Sequence, residues 1–160
     1  MMDKHTKDVM FSSRETSWET PQDFYNILDD HFGFDLDPCA SKENAKCKEY
    51  YTEADDGLSK RWGPNKKVFV NPPYGKDIKN WIKKAYDESR REGSIVVVLM
   101  PARTDTSYWH DYCMKASEIY FVRGRLRFGD AKAGAPFPSA VVVFDRYHRS
   151  LTPHIMSIGR

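Results

Sequence analysis

Residues 68–77 read VFVNPPYGKD. An apolar strand runs into Asn71, Pro72, Pro73 and Tyr74. Two successive prolines remove two backbone donors and fix two φ angles, a costly way to leave a strand if only a turn is wanted. What such a corner presents is acceptors: the Asn71 side-chain carbonyl, and the carbonyl of Pro72, a residue with no N–H of its own. Two convergent acceptors suit an NH₂ group conjugated to a ring or a carbonyl. The lone pair of such a nitrogen is delocalised, so it is a poor nucleophile. Holding both protons favours a pyramidal nitrogen and returns the lone pair to it. That stabilises the transition state more than the planar ground state. Tyr74 adds an aromatic face for a planar base, and Gly75 gives the chain room to turn. As a bare Pro-rich stretch, the same residues are also compatible with a plain turn.

Other chemistry is harder to find. Cys39, Cys47 and Cys113 show no CxxC spacing, and an odd count argues against a disulfide framework. A reducing, cytoplasmic compartment and ordinary thiols are expected, with Cys39 a small apolar filler. The five histidines are scattered, so no metal is expected. The formal net charge of +2 does not demand a nucleic-acid partner, and contact with one would need a local basic patch. The apolar run Ile95–Met100 is far too short to span a bilayer, and the polar N-terminal residues show no signal peptide.

The elements that would position the corner follow from periodicity. Residues 1–13 read as a flexible arm, 14–150 as a single domain and 151–160 as a tail. A helix is expected in SWETPQDFYNILDDHFG, with Thr20 as N-cap, Pro21 at its first position and Gly33 at its end. FDLD reads as a short strand that breaks at DPCASKENAK. The segment CKEYYTEADDGLSKRWGPNKK reads as irregular or briefly structured, and VFV as the next strand. In DIKNWIKKAYDESRREG, Asp77 caps a helix whose stripe is Ile78, Trp81, Ile82, Ala85 and Tyr86, closed by Gly93. SIVVVLMP has the continuous β-branched pattern of a strand covered on both faces. A short helix over DTSYWHDYCMKA, strands at EIYFV and RLRF, and a last buried strand at AVVVF complete the chain. Strands alternating with helices predict an α/β fold with a mainly parallel sheet and an antiparallel edge. The corner at Asn71 would then lie beyond the carboxyl ends of the strands, where such sheets bind ligands.

NPPY after an apolar strand resembles the catalytic motif of S-adenosylmethionine-dependent amino-methyltransferases. In order, WETPQDF, FDLDPCAS, YYTEADDGL, RW, VFVNPPYG, LMPARTDTSYWH, RGRLRF and PFPSAVVVF resemble the phage-type DNA N6-adenine methyltransferases, the small Dam-like family. The resemblance implies a reduced Rossmann-like methyltransferase fold. It implies transfer of a methyl group from S-adenosylmethionine to the N6 amine of a flipped adenine in double-stranded DNA. Asn71, Pro72, Pro73 and Tyr74 would grip the base. Asp37 would face the cofactor's ammonium group, with Pro38, Cys39 and Ala40 shaping the loop beside it and Ser41 standing where larger relatives carry glycine. Trp18, Thr20 and Pro21 would pack on its methionine part. Asp56, or its neighbour Asp55, would lie near its adenine, and Glu53 is the candidate for the ribose. Protection of phage DNA in a bacterial host, as in restriction–modification, is the implied role, and a monomer is favoured.

Arg123, Arg125 and Arg127 alternate, so on a strand they share one face and could track phosphates or form a solvated face. Arg103, Thr104 and Asp105 follow a strand end near the same rim and could meet DNA. Loops 75–80, 103–110 and 128–138 are the candidates for reading sequence. Three rivals remain at this level: the same chemistry on RNA, the same chemistry on a protein glutamine, and a catalytically idle DNA-binding module of the same fold.

Overall fold

The computed structural model describes residues 18–159, so the expected arm lies outside the described residues. The elements are α1 (Gln22–Phe32), β1 (Leu36–Asp37), β2 (Glu49–Tyr50), β3 (Lys67–Val70), α2 (Ile78–Glu92), β4 (Ile95–Pro101), α3 (Ser107–Asp111), β5 (Glu118–Val122), β6 (Ser139–Phe144) and β7 (His154–Ile158). Short 3₁₀ turns sit at Glu53–Asp55, Gly57–Ser59 and Cys113–Lys115. The strands form one seven-stranded sheet in the order β2-β1-β3-β4-β6-β5-β7. β2, β1, β3 and β4 run parallel. β6 is the reversed strand, antiparallel to both β4 and β5, and β7 pairs parallel with β5. The α/β expectation therefore holds, with the antiparallel pairing toward one side of the sheet.

β4 explains itself: Val96, Val97, Val98, Leu99 and Met100 are fully buried. A central strand with helices on both faces has no side for polar residues. On one face α2 lays down Ile78, Trp81, Ile82 and Ala85, with Tyr86 partly buried beside them. Truncating a residue such as Ile82 would cost about 2–5 kcal/mol. On the other face α1 buries Phe24, Tyr25 and Leu28, and Tyr25 meets Phe69 of β3 edge-on at 5.1 Å. Gly33 and Gly93 close the two helices in left-handed conformations, φ 70° and 69°, which glycine adopts without a Cβ clash.

Three expectations need correction. Pro21, not Thr20, holds the N-cap position of α1, with no side-chain cap bond, because the Thr20 hydroxyl is engaged elsewhere. The brief structure expected in residues 47–67 includes Glu49–Tyr50, which pairs with β1 at the sheet edge. RLRF is not a strand. Residues 125–128 belong to no strand, and the Ala135 N–H donates to the Leu126 carbonyl across their own loop. The tail is not a tail either, since His154–Ile158 pairs with β5 along its whole length.

Candidate active site

β1, β3, β4 and β5 all end at the same edge of the sheet, which brings together the loops after Asp37, Val70, Pro101 and Val122. The chain leaves β1 toward β2 on one side and returns to β3 on the other. That reversal opens a crevice between the ends of β1 and β3, the place where open α/β sheets hold ligands. Asp37 ends one of those strands and Asn71 follows the other.

Asn71 is held by the segment before α1. Its Nδ2 donates to the Trp18 carbonyl and, at 2.9 Å, to the Thr20 hydroxyl. Its Oδ1 is buried with no hydrogen-bond partner among the described residues. A buried acceptor left unpaired is costly, so this one is available to a ligand. The other such atom among the described residues is Ser139 Oγ, on β6 opposite Pro101 of β4. Pro72 is buried and Pro73 half-buried beside Asn71.

Tyr74 is only 7% exposed. Its hydroxyl donates to the Leu99 carbonyl at 3.2 Å, and burial raises its pKa well above that of a free phenol. Its ring meets Phe128 and Phe137 edge-on, at 6.2 and 5.6 Å between centroids. Trp18 packs edge-on against the same two phenylalanines, at 5.6 and 5.2 Å. Four rings from distant parts of the chain thus close over the end of β3. Sequence reasoning names neither Phe128 nor Phe137 individually, although both lie in the loop 128–138 offered for reading DNA sequence. Their signal was there: two aromatic residues flank a Gly- and Pro-bearing loop next to the last buried strand.

Asp37 is buried, and its carboxylate accepts backbone N–H bonds from Cys39 at 3.3 Å and Lys46 at 3.2 Å. Burial raises its pKa to about 6, against the pull of those two donors. The carboxylate therefore also holds the loop 38–46 in shape. Pro38 is pinned from behind by Gly57, where an added Cβ would lie 2.0 Å from the Pro38 carbonyl oxygen. The Gly57 carbonyl in turn accepts from the Trp62 indole at 2.9 Å. The DDGL segment is thereby fastened to the DPCA loop, with Ala40 and Ser41 half-buried in that loop. Burial pushes the Cys39 thiol up to about 12, which leaves it protonated and unfit as a nucleophile.

The structure separates the two acidic candidates nearby. Asp55 accepts from the Thr52 backbone N–H and hydroxyl, closing a capping box, whereas Asp56 is exposed at φ 55° without a side-chain bond among the described residues. Glu53 is exposed on the same turn. A cleft of about 290 Å³ opens beside this edge, lined by Thr20 and Pro21 together with Glu19, Glu43, Lys46 and Asp130. Its acidic groups outnumber the basic one, which fits a ligand that carries positive charge.

Arg103, Thr104 and Asp105 lie on the loop from β4 to α3, Arg103 half-buried and the other two exposed. The loop is braced by the Thr106 hydroxyl donating to the Arg103 carbonyl at 2.8 Å, and His110 Nε2 lies 2.8 Å from the Thr104 carbonyl. Arg123, Arg125 and Arg127 are exposed beyond β5, while Leu126 and Phe128 point inward. The alternation of burial expected of a strand survives in this loop. Arg125 is not a free cation, since its guanidinium donates to the Ala135 carbonyl at 3.2 Å. No cluster of metal-ligating side chains occurs among the described residues, and none of their helices is long and apolar enough to cross a membrane.

A seven-stranded, mostly parallel sheet with antiparallel pairing toward one side is the architecture of a small methyltransferase fold. The family model described as DNA N-6-adenine-methyltransferase (Dam) matches residues 7–158. The chain belongs to that family. It is 34% identical over 111 residues to a DNA N-6-adenine-methyltransferase of Escherichia phage T1, covering 68% of this chain and 45% of the relative. It is 27% identical over 133 residues to a DNA N-6-adenine-methyltransferase of Haemophilus phage HP1, covering 81% of this chain and 75% of that protein. The chain thus spans about half the length of the phage T1 relative and three quarters of the HP1 one.

Proposed function

We propose that the protein transfers a methyl group from S-adenosylmethionine to the N6 amine of adenine in DNA. The observation that carries this reading is the buried, unpartnered Oδ1 of Asn71 at the carboxyl end of β3, in a chain of the DNA N-6-adenine-methyltransferase family.

Both hydrogens of the Asn71 amide are taken by Trp18 and Thr20, so the group can offer the substrate only its oxygen. An exocyclic NH₂ is the complementary partner. With one proton on Asn71 Oδ1 and the other on the Pro72 carbonyl, the nitrogen lone pair points away from the ring. When bound, the cofactor would supply an electrophilic sulfonium methyl for that amine and would be left as the neutral thioether. The surplus proton leaves the nitrogen afterwards, so no strong base is required. Asp37 and the acidic lining of the adjacent cleft suit the cofactor's ammonium and sulfonium charges.

The base must leave the stack, because its N6 edge is paired in a duplex. Tyr74 is the stacking partner in this reading. Its ring is now covered by Phe128 and Phe137, so admitting a base requires those two side chains to withdraw. Edge-on aromatic pairs are worth about 0.5–1.5 kcal/mol each, within reach of the stacking that replaces them. In this reading Arg123 and Arg127, exposed on the loop that carries Phe128, would meet phosphates.

Replacing Asn71 with Ala tests the reading. Transfer to DNA should vanish while S-adenosylmethionine still binds, as measured by calorimetry. A variant with wild-type turnover would refute the role given to Asn71.

A further inference from the structure

The Thr20 hydroxyl is buried, 5% exposed, directly before α1, yet it does not cap the helix it precedes. It accepts instead from Asn71, fifty-one positions away, at 2.9 Å. The second hydrogen of the same amide goes to the Trp18 carbonyl. An amide held through both N–H groups has one orientation. Turned by 180°, its oxygen would face the Trp18 carbonyl, acceptor against acceptor, and both bonds to the nitrogen would be lost. The short segment 18–20 therefore decides which end of the Asn71 amide faces the site.

That segment is itself clamped. The Glu19 carbonyl accepts from the Gly129 backbone N–H at 2.9 Å, and the Trp18 ring is wedged against Phe128 and Phe137. It is held from one side by the catalytic corner and from the other by the loop that covers Tyr74.

We infer that Thr20 is a positioning residue for methyl transfer: its hydroxyl, with the Trp18 carbonyl, locks the Asn71 amide so that Oδ1 faces the substrate amine. The inference rests on the role of Asn71 proposed above. It also reassigns Thr20, which the family resemblance places against the cofactor. Because the locked oxygen acts on the amine, its loss shows in turnover rather than in cofactor affinity.

The test compares Thr20→Val, which keeps the shape and removes the hydroxyl, with Thr20→Ser, which keeps the hydroxyl. Methyl transfer to unmethylated duplex DNA is followed at saturating S-adenosylmethionine, and cofactor affinity is measured by calorimetry on the same samples. T20V should lose roughly tenfold in kcat, the share of one buried hydrogen bond, and T20S should restore most of it. Because Thr20 also lines the adjacent cleft, cofactor Kd is followed too, and any change in it should be smaller than the loss in kcat. Thr20→Ala repeats the comparison with a smaller side chain should T20V fail to fold. Unchanged kcat in T20V or T20A overturns the inference. So does a T20S variant as slow as T20V, or a loss confined to cofactor affinity. If the wild-type protein itself methylates no adenine, the proposed function fails before this comparison begins, so the two failures are distinct.

Discussion

Tyr74 carries two separable contributions, and two substitutions divide them. Tyr74→Phe removes only the hydroxyl and its 3.2 Å bond to the Leu99 carbonyl. A net buried hydrogen bond contributes about 0.5–1.5 kcal/mol, so the melting temperature should fall by roughly 1–6 °C for a domain of this size. The ring, its contacts with Phe128 and Phe137, and its capacity to stack all remain. Tyr74→Ala also deletes a nearly fully buried ring, at a cost of about 3–5 kcal/mol. Base–aromatic stacking is worth about 1–3 kcal/mol, so transfer by the alanine variant should drop a further roughly 5- to 150-fold where the protein is still folded. The assay is single-turnover methyl transfer at a temperature below both melting transitions, with circular dichroism on the same samples. The phenylalanine variant should transfer at close to the wild-type rate. If it were as impaired as the alanine variant, the hydroxyl rather than the ring would be the working part, and the stacking account would be wrong.

Three further outcomes follow from the same geometry. Asp37 has a folded-state pKa of about 6, raised by burial, so it favours folding in its protonated form. Its contribution is therefore greatest below about pH 4 and is lost as pH rises through about 6, on the order of 3 kcal/mol in all. Cofactor affinity should run the other way, weakening as pH falls through about 6. Calorimetric titrations across that range check this, and a flat profile that matches Asp37→Asn would remove the carboxylate from the cofactor site. Gly57→Ala drives a Cβ against the Pro38 backbone oxygen and should lower stability by about 1–3 kcal/mol in a denaturant titration, with weaker cofactor binding. Replacing Arg123 and Arg127 together with Ala should flatten the dependence of DNA affinity on salt, by up to about two units of log–log slope. An unchanged slope would make them a solvated face.

Much of the fold is written in local patterns. The unbroken valines of β4 and the helical stripe from Ile78 to Tyr86 each specify their own burial, so α2 and β4 lie where periodicity puts them. The elements that escaped notice lack such a pattern. β2 is two residues long and exists because Glu49 and Tyr50 lie beside Leu36 and Asp37. β7 is an edge strand with Ile155 left 55% exposed, so nothing in HIMSI marks a buried face. RLRF alternates as a strand does, yet the alternation reflects Leu126 and Phe128 tucking under a loop rather than a place in the sheet.

The site divides along the same line. The corner at Asn71 and the acidic end of β1 were legible, because each is a short contiguous motif whose chemistry depends on residue type. What the motif cannot show is who holds it. The bonds from Asn71 to Trp18 and Thr20, the Gly57 contact behind Pro38, and the gathering of Trp18, Tyr74, Phe128 and Phe137 all join distant segments. Thr20 shows the consequence: local grammar makes it a helix cap, and tertiary structure gives its hydroxyl to the Asn71 amide.

The measurement closest to the central claim is transfer of labelled methyl from S-adenosylmethionine to unmethylated duplex DNA, with mass analysis of the released nucleosides. The account predicts label in N6-methyldeoxyadenosine, lost in Asn71→Ala. Label on RNA or on a protein glutamine, with none on DNA, would contradict the substrate. No label on any of the three, with cofactor still bound, would contradict the activity itself.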